Sequence, residues 1–147
     1  MITSRLIQAI KDHEGFSSYA YYCPAGRITI GWGRCIDEKE KGTGITEPEA
    51  EVLLQNDLLK FEQAAKRAAG TDVWDKLSQV RREALVEMAF NMGEANLKNF
   101  KNMMAALEKE DYAGAWREAL DSRWANQVGK RAHNVAERLL FGKYAGS

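Results

Sequence analysis

The chain has 147 residues, 45% of them hydrophobic and 29% charged, and its 21 basic and 21 acidic side chains leave no net charge. That length suits one domain that buries roughly two-thirds of its unfolded surface. The composition excludes a disordered chain, and the balanced charge with no basic recognition helix makes nucleic acid a poor partner.

The N-terminus, MITSRLIQAIKDHEG, is amphipathic and interrupted by charge. It has no apolar run long enough for a signal peptide or a membrane span, so synthesis in a cytoplasm, without stable membrane insertion, is expected. Leu6, Ile7 and Ile10 recur at helical spacing after Thr3 or Ser4 as N-cap, and Gly15 follows as C-cap, which predicts a helix ending at Glu14. The period then changes. Tyr19 and Tyr21, and Ile28 and Ile30, flank the turn signal Pro24-Ala25-Gly26 and predict a β-hairpin folded back beside the helix end. Gly31-Trp32-Gly33 permits close backbone approach, and Arg34-Cys35-Ile36 suits a short third strand before the charged loop DEKEKGTG.

Thr46-Glu47-Pro48-Glu49 reads as a capping box, with Thr46 as N-cap and Glu49 reaching back. It opens a long helix whose apolar face is Ala50, Val52, Leu53, Leu54, Leu58, Leu59 and Phe61, and which runs on until Gly70. From Trp74 onward the pattern is helical, with segments at about 79–92, 95–108, 111–121, 124–128 and 131–141 separated by Gly, Asn or Asp. Met88-Ala89 and Met103-Met104 read as core packing. The stretch from Arg117 carries six basic against three acidic groups, which is either a solvated face or a modest attraction for an anionic polymer.

Glu14 is the residue with chemistry to offer, for the next acid downstream is Asp37. A carboxyl at a helix end, facing a hairpin and partly covered by Phe16 and the tyrosines, keeps its proton longer and suits general acid catalysis. Cys23 follows nine residues later at the hairpin turn, and Thr29 six after that on the returning strand. A thiol and a hydroxyl that hold a water opposite a proton-donating Glu supply what hydrolysis of an acetal requires. Each residue also has a plainer reading: a solvated helix-end carboxylate, a small buried apolar side chain, and an ordinary β-branched strand residue. A free thiol titrates near about 8.5, and lowering it to about 7 takes roughly 2 kcal/mol, for which Arg27 and Arg34 are candidates. Cys23 and Cys35 lack a CxxC or Cys/His pattern, so no zinc site is expected; free thiols are the commoner state of such a pair, a bridge the other.

The pattern Glu14, eight residues, Cys23, five residues, Thr29, then Ile30-Gly31-x-Gly33 resembles the bacteriophage lysozymes of glycoside hydrolase family 24, typified by the T-even phage enzyme. Val80-Arg81-Arg82-x-Ala84-Leu85, Phe90-Asn91-Met92-Gly93-Glu94, Ser122-Arg123-Trp124-x-Asn126-Gln127 and Arg131-Ala132 match the same family in order, so the resemblance covers nearly the whole chain. It departs at Cys23, where the best-known members carry Asp, and at Arg34, where His is common after Gly-x-Gly.

The resemblance implies an α+β, mostly helical, lysozyme-like two-lobed fold. The sheet-bearing lobe would be about 15–45, the connecting helix about 47–67, and the helical lobe about 74–147 with the N-terminal helix, a cleft lying between the lobes. It implies an endolysin muramidase acting on bacterial peptidoglycan, with Glu14 as acid, Cys23 and Thr29 as water ligands, Arg131 close to Glu14, and Phe90 and Asn91 lining or supporting the saccharide groove. No metal or organic cofactor is implied. The protein would work as a monomer and need a separate holin-like factor for export. The competing function is a wall-binding or scaffolding module that lost turnover when Cys replaced Asp; retention of Glu14 and Thr29 argues against it.

Overall fold

The computed structural model covers Met1–Ser147 and separates by its contacts into two units, Met1–Leu53 and Leu54–Ser147. It is mostly helical with one small antiparallel sheet, the α+β class expected. No helix is long and apolar enough to cross a membrane.

In the first unit, α1 spans Ser4–Glu14, with Thr3 Oγ1 accepting from Leu6 N at 3.2 Å and Gly15 N donating back to Lys11 O at 2.9 Å. The sheet follows, with β1 at Ser17–Tyr22, β2 at Ile28–Gly31 and β3 at Arg34–Cys35, in that spatial order. The turn from β1 to β2 closes through Gly26 N to Cys23 O at 2.8 Å and Cys23 N to Arg27 O at 2.9 Å, and Gly26 sits at φ 80°. A turn followed by a left-handed residue is the three-residue hairpin loop, and Pro24-Ala25-Gly26 has the residues it needs. Register places Thr29 opposite Tyr21 on one side and Cys35 on the other, so these three side chains share one face of the sheet. Register shifts between Ser17 and Tyr21, which bends β1 at its start.

Behind the sheet, buried Asp37 accepts from Ile28 N and Lys39 N, both at 3.1 Å, and so fastens the charged loop to the start of β2. The capping box is present: Glu49 N donates to Thr46 Oγ1 at 3.3 Å and Thr46 N donates to Glu49 Oε1 at 2.9 Å.

α2 runs from Glu47 to Ala69, up to Gly70 as expected, and the boundary between the units falls inside it. Most of its apolar face is exposed. Val52, Leu53, Leu54, Leu58 and Leu59 are exposed, and only Ala64 and Ala65 are buried. The helix is longer than the core it serves.

The second unit contains α3 Thr71–Trp74, α4 Gln79–Met92, α5 Glu94–Lys98, α6 Lys101–Glu108, α7 Tyr112–Leu120, α8 Arg123–Val128 and α9 Lys130–Phe141. One expectation fails in detail: the segment 95–108 is two helices, α5 ending at Lys98 and α6 starting after Phe100. Phe100 breaks from helical geometry at ψ 55° and points its ring edge-on at Trp124, 6.3 Å away. Leu85, Met88, Leu97, Met103, Leu107, Val135 and Leu139 are fully buried and make the core. Glu94 ties α5 to α2, its carboxylate accepting from Arg67 Nη2 at 2.7 Å, and this pairing holds the Glu94 carboxyl at about 2.

Candidate active site

Glu14 ends α1 because Gly15, at φ 71°, takes the chain out of the helix one residue later. Its carboxyl lies directly against Gly33, in the turn between β2 and β3, so that a β-carbon on Gly33 would sit 2.6 Å from Glu14 Oε2. The close approach expected of Gly31-Trp32-Gly33 therefore has a specific beneficiary. The expected cover is different. Glu14 is exposed, and Phe16 turns its ring instead to Trp32, 5.1 Å away, where Lys11 Nζ lies over the indole at 5.0 Å.

Cys23 and Thr29 meet across the hairpin. Cys23 is half-buried at the turn, and both cysteines are free thiols. The Cys23 thiol is held below its ordinary range, first by the backbone hydrogen bond at Arg27, then against burial by the backbone at Ala25, the Thr29 side chain and the Arg27 charge. These groups stabilise the thiolate because they donate to it or are positive. The Arg27 charge, itself paired with Glu40 at 3.6 Å, is the smallest of these contributions, and Arg34 is engaged in an ion pair with Glu49. That pairing, first among its causes, lowers the Glu49 carboxyl to about 2. Thr29 is buried, and its hydroxyl donates to Arg27 O at 3.0 Å. A hydroxyl has one proton and two lone pairs, so donation to the thiolate means releasing Arg27 O, and a lone pair remains to accept from water. Glu14, Cys23 and Thr29 all belong to the first unit.

The other predicted residues belong to the second. Phe90 and Arg131 line one recess of about 720 Å³, together with Leu58, Leu59 and Glu87. Phe90 packs edge-on against Phe61 at 5.3 Å. Arg131 Nε donates to Glu87 Oε2 at 2.9 Å, and Glu87 is also bonded by the buried Arg138. Burial pushes the Glu87 carboxyl up, but the two arginines outweigh it and hold the group below its ordinary value. Asn91 is not in that recess. Its Oδ1 accepts from Trp124 Nε1 at 2.6 Å, and Trp124 lines a second recess of about 580 Å³ with Ser122, Arg123 and Gln127.

Three contributors escaped sequence reasoning. Glu87 is one of many helix carboxylates in the chain, and nothing local marks it as the partner of two arginines far downstream. Asp37 reads as loop, although an Asp followed two residues later by a backbone donor is a turn-forming pattern. Gly33 was legible as a close-approach glycine, but its partner was not.

The family model described as phage lysozyme matches residues 11–139. The chain is 29% identical to an endolysin of Acyrthosiphon pisum secondary endosymbiont phage 1, over 95% of this chain and 97% of that protein. It is 28% identical to a probable T4-type lysozyme of Dictyostelium discoideum, over 93% of this chain and 96% of that protein. It is also 28% identical to the pre-baseplate central spike protein Gp5 of Enterobacteria phage T4, where it spans 93% of this chain but only 28% of that protein's length. With a match that extends from the end of α1 to the last turns of α9, the chain belongs to the phage lysozyme family of glycoside hydrolases.

Proposed function

We propose that the protein is a muramidase that hydrolyses the β-1,4 bond between N-acetylmuramic acid and N-acetylglucosamine in bacterial peptidoglycan. Glu14 gives its proton to the departing glycosidic oxygen. Cys23 and Thr29 hold a water on the opposite face of the sugar, and the Cys23 thiolate takes that water's proton as the new C–O bond forms, so the anomeric centre inverts. Phe90 offers an apolar face to a sugar ring, Arg131 carries charge beside it, and Asn91 has amide protons free while its oxygen serves Trp124. The protein works as a monomer on the wall polymer.

The observation that carries this reading is the register of the hairpin, which sets Cys23 and Thr29 on one face of the sheet, with the backbone at Arg27 lowering the thiol, in the same unit that presents Glu14. The test is dye release from purified cell wall by wild type and Glu14→Gln, with thermal unfolding of both. The amide is nearly isosteric but has no acidic proton, so folding is expected to be unchanged and the rate to fall on the order of 10²–10⁴-fold. Substantial clearing by the folded variant removes Glu14 from the acid role. A wild type that binds wall without releasing dye leaves only the binding module.

A further inference from the structure

We propose that Gly33 is a positioning residue for Glu14, because the absence of its β-carbon is the space in which the Glu14 carboxyl rests. This builds on the reading of Glu14 as proton donor. A β-carbon at Gly33 would lie 2.6 Å from Glu14 Oε2, 2.7 Å from Cδ and 3.1 Å from Cγ. Contacts that short do not survive, so one partner moves. Gly33 is backbone in a tight turn whose flanking residues Ile30 and Arg34 are paired across the β2–β3 ladder, while the carboxyl is the free end of an exposed, flexible side chain. The carboxyl is therefore the part that yields, and the β2–β3 turn sets where the proton is held. Gly31, two residues earlier, provides the comparison. It shares the positive φ, 69° against 79° for Gly33, but an added β-carbon there meets nothing within 4 Å. Alanine at either position is strained by its positive φ, and only at Gly33 does it also meet Glu14.

The experiment makes Gly33→Ala and Gly31→Ala, each alone and together with Glu14→Ala. Thermal unfolding and wall hydrolysis, with kcat and KM resolved, are measured on each. Since an exposed carboxyl swings aside at little cost, any loss of Tm in Gly33→Ala beyond that in Gly31→Ala is expected to be small and to vanish when Glu14 is alanine. In folded Gly33→Ala kcat falls on the order of 10²-fold with KM little changed, the loss a displacement of about 1 Å brings. Gly31→Ala loses far less, because its methyl group meets nothing. Should Gly33→Ala fail to fold alone, recovery of folding in the Glu14→Ala background supports the contact, and no recovery overturns it. A Gly33→Ala that matches Gly31→Ala in kcat, beside an inactive Glu14→Gln, overturns the positioning role alone. An active Glu14→Gln overturns the acid assignment and the catalytic meaning of Gly33 together.

Discussion

At Cys23 the departure from the better-known members of the family becomes a measurable property. A thiol below its ordinary value is ionised to a larger extent near neutral pH than the few per cent of a free cysteine, and here the backbone at Arg27 is the main reason. If the thiolate is the base, ionisation of the thiol shapes the pH dependence of the rate, and the apparent values belong to Cys23 and Glu14 together. Cys23→Asp is expected to keep activity and change that pH dependence, since a carboxylate ionises earlier than a thiol. Cys23→Ser is expected to lose on the order of 10²-fold, because a hydroxyl binds water but does not ionise in this range. Alkylation should stop turnover in wild type, with Cys35→Ser as the control that isolates the effect to Cys23. Dye release by Cys23→Ala at the wild-type rate would reduce the residue to packing and leave Glu14 with Thr29.

Elements were legible where a signal is local. Thr3, Gly15, Thr46 with Glu49, and Pro24-Ala25-Gly26 bring their own hydrogen-bond chemistry, so α1, the start of α2 and the hairpin turn formed where the residues said. Arg81 and Arg82 showed only as a motif, since their work is tertiary. Arg81 donates to Leu139 O at 2.8 Å and Leu140 O at 3.0 Å to close the end of α9, and Arg82 donates to Trp74 O at 3.0 Å. Two carboxylates that join elements give predictions. Glu49 links β3 through Arg34 to the first turn of α2, and its pKa falls from 4.5 to about 2. A carboxyl depressed on folding contributes stability above its unfolded value that is lost as pH falls through the folded one. Glu49→Gln should therefore flatten the fall of Tm between pH 4.5 and about 2, and an unchanged slope would show the pair to be idle.

Glu87 holds α4 to α9 through Arg131 and the buried Arg138. Removing one partner of a fully buried pair costs about 3–5 kcal/mol, and the partial exposure of Glu87 lowers the expectation for Glu87→Ala to about 2–3 kcal/mol. Denaturant unfolding measures it, and pairing Glu87→Leu with Arg138→Leu should recover much of the loss, because no buried charge is then left alone. Asn91→Ala strips the acceptor from the buried Trp124 indole and is expected to cost about 1–2 kcal/mol.

On the scale of the whole molecule, apolar burial is lopsided. Every buried hydrophobic residue lies at Ala64 or beyond, and the only buried residues before it are the polar Thr29 and Asp37. The sheet is held by its ladders, by the Asp37 hydrogen bonds and by half-buried Tyr21, Ile28, Ile30 and Ile36, while Leu6, Ile7 and Ile10 of α1 are exposed. Periodicity showed which face of α1 and α2 was apolar, but whether a face is covered depends on partners that local sequence does not encode. Because hydrophobic burial is the main favourable contribution to folding, the residues that carry the proposed chemistry lie in the less protected unit. Native-state hydrogen exchange should therefore resolve two levels. Amides of α4, α6 and α9 around Leu85, Met103 and Val135 are expected to exchange only on global unfolding, whereas those of β1 to β3, Thr29 among them, exchange through openings of lower free energy. A peptidoglycan fragment that engages the hairpin should slow exchange in the sheet and leave the core amides near their starting rates, since a ligand stabilises only the state that binds it. Equal protection of sheet and core in the free protein would mean that the hydrogen bonds around Asp37 and the hairpin turn are as stabilising as the buried leucines and methionines of the second unit.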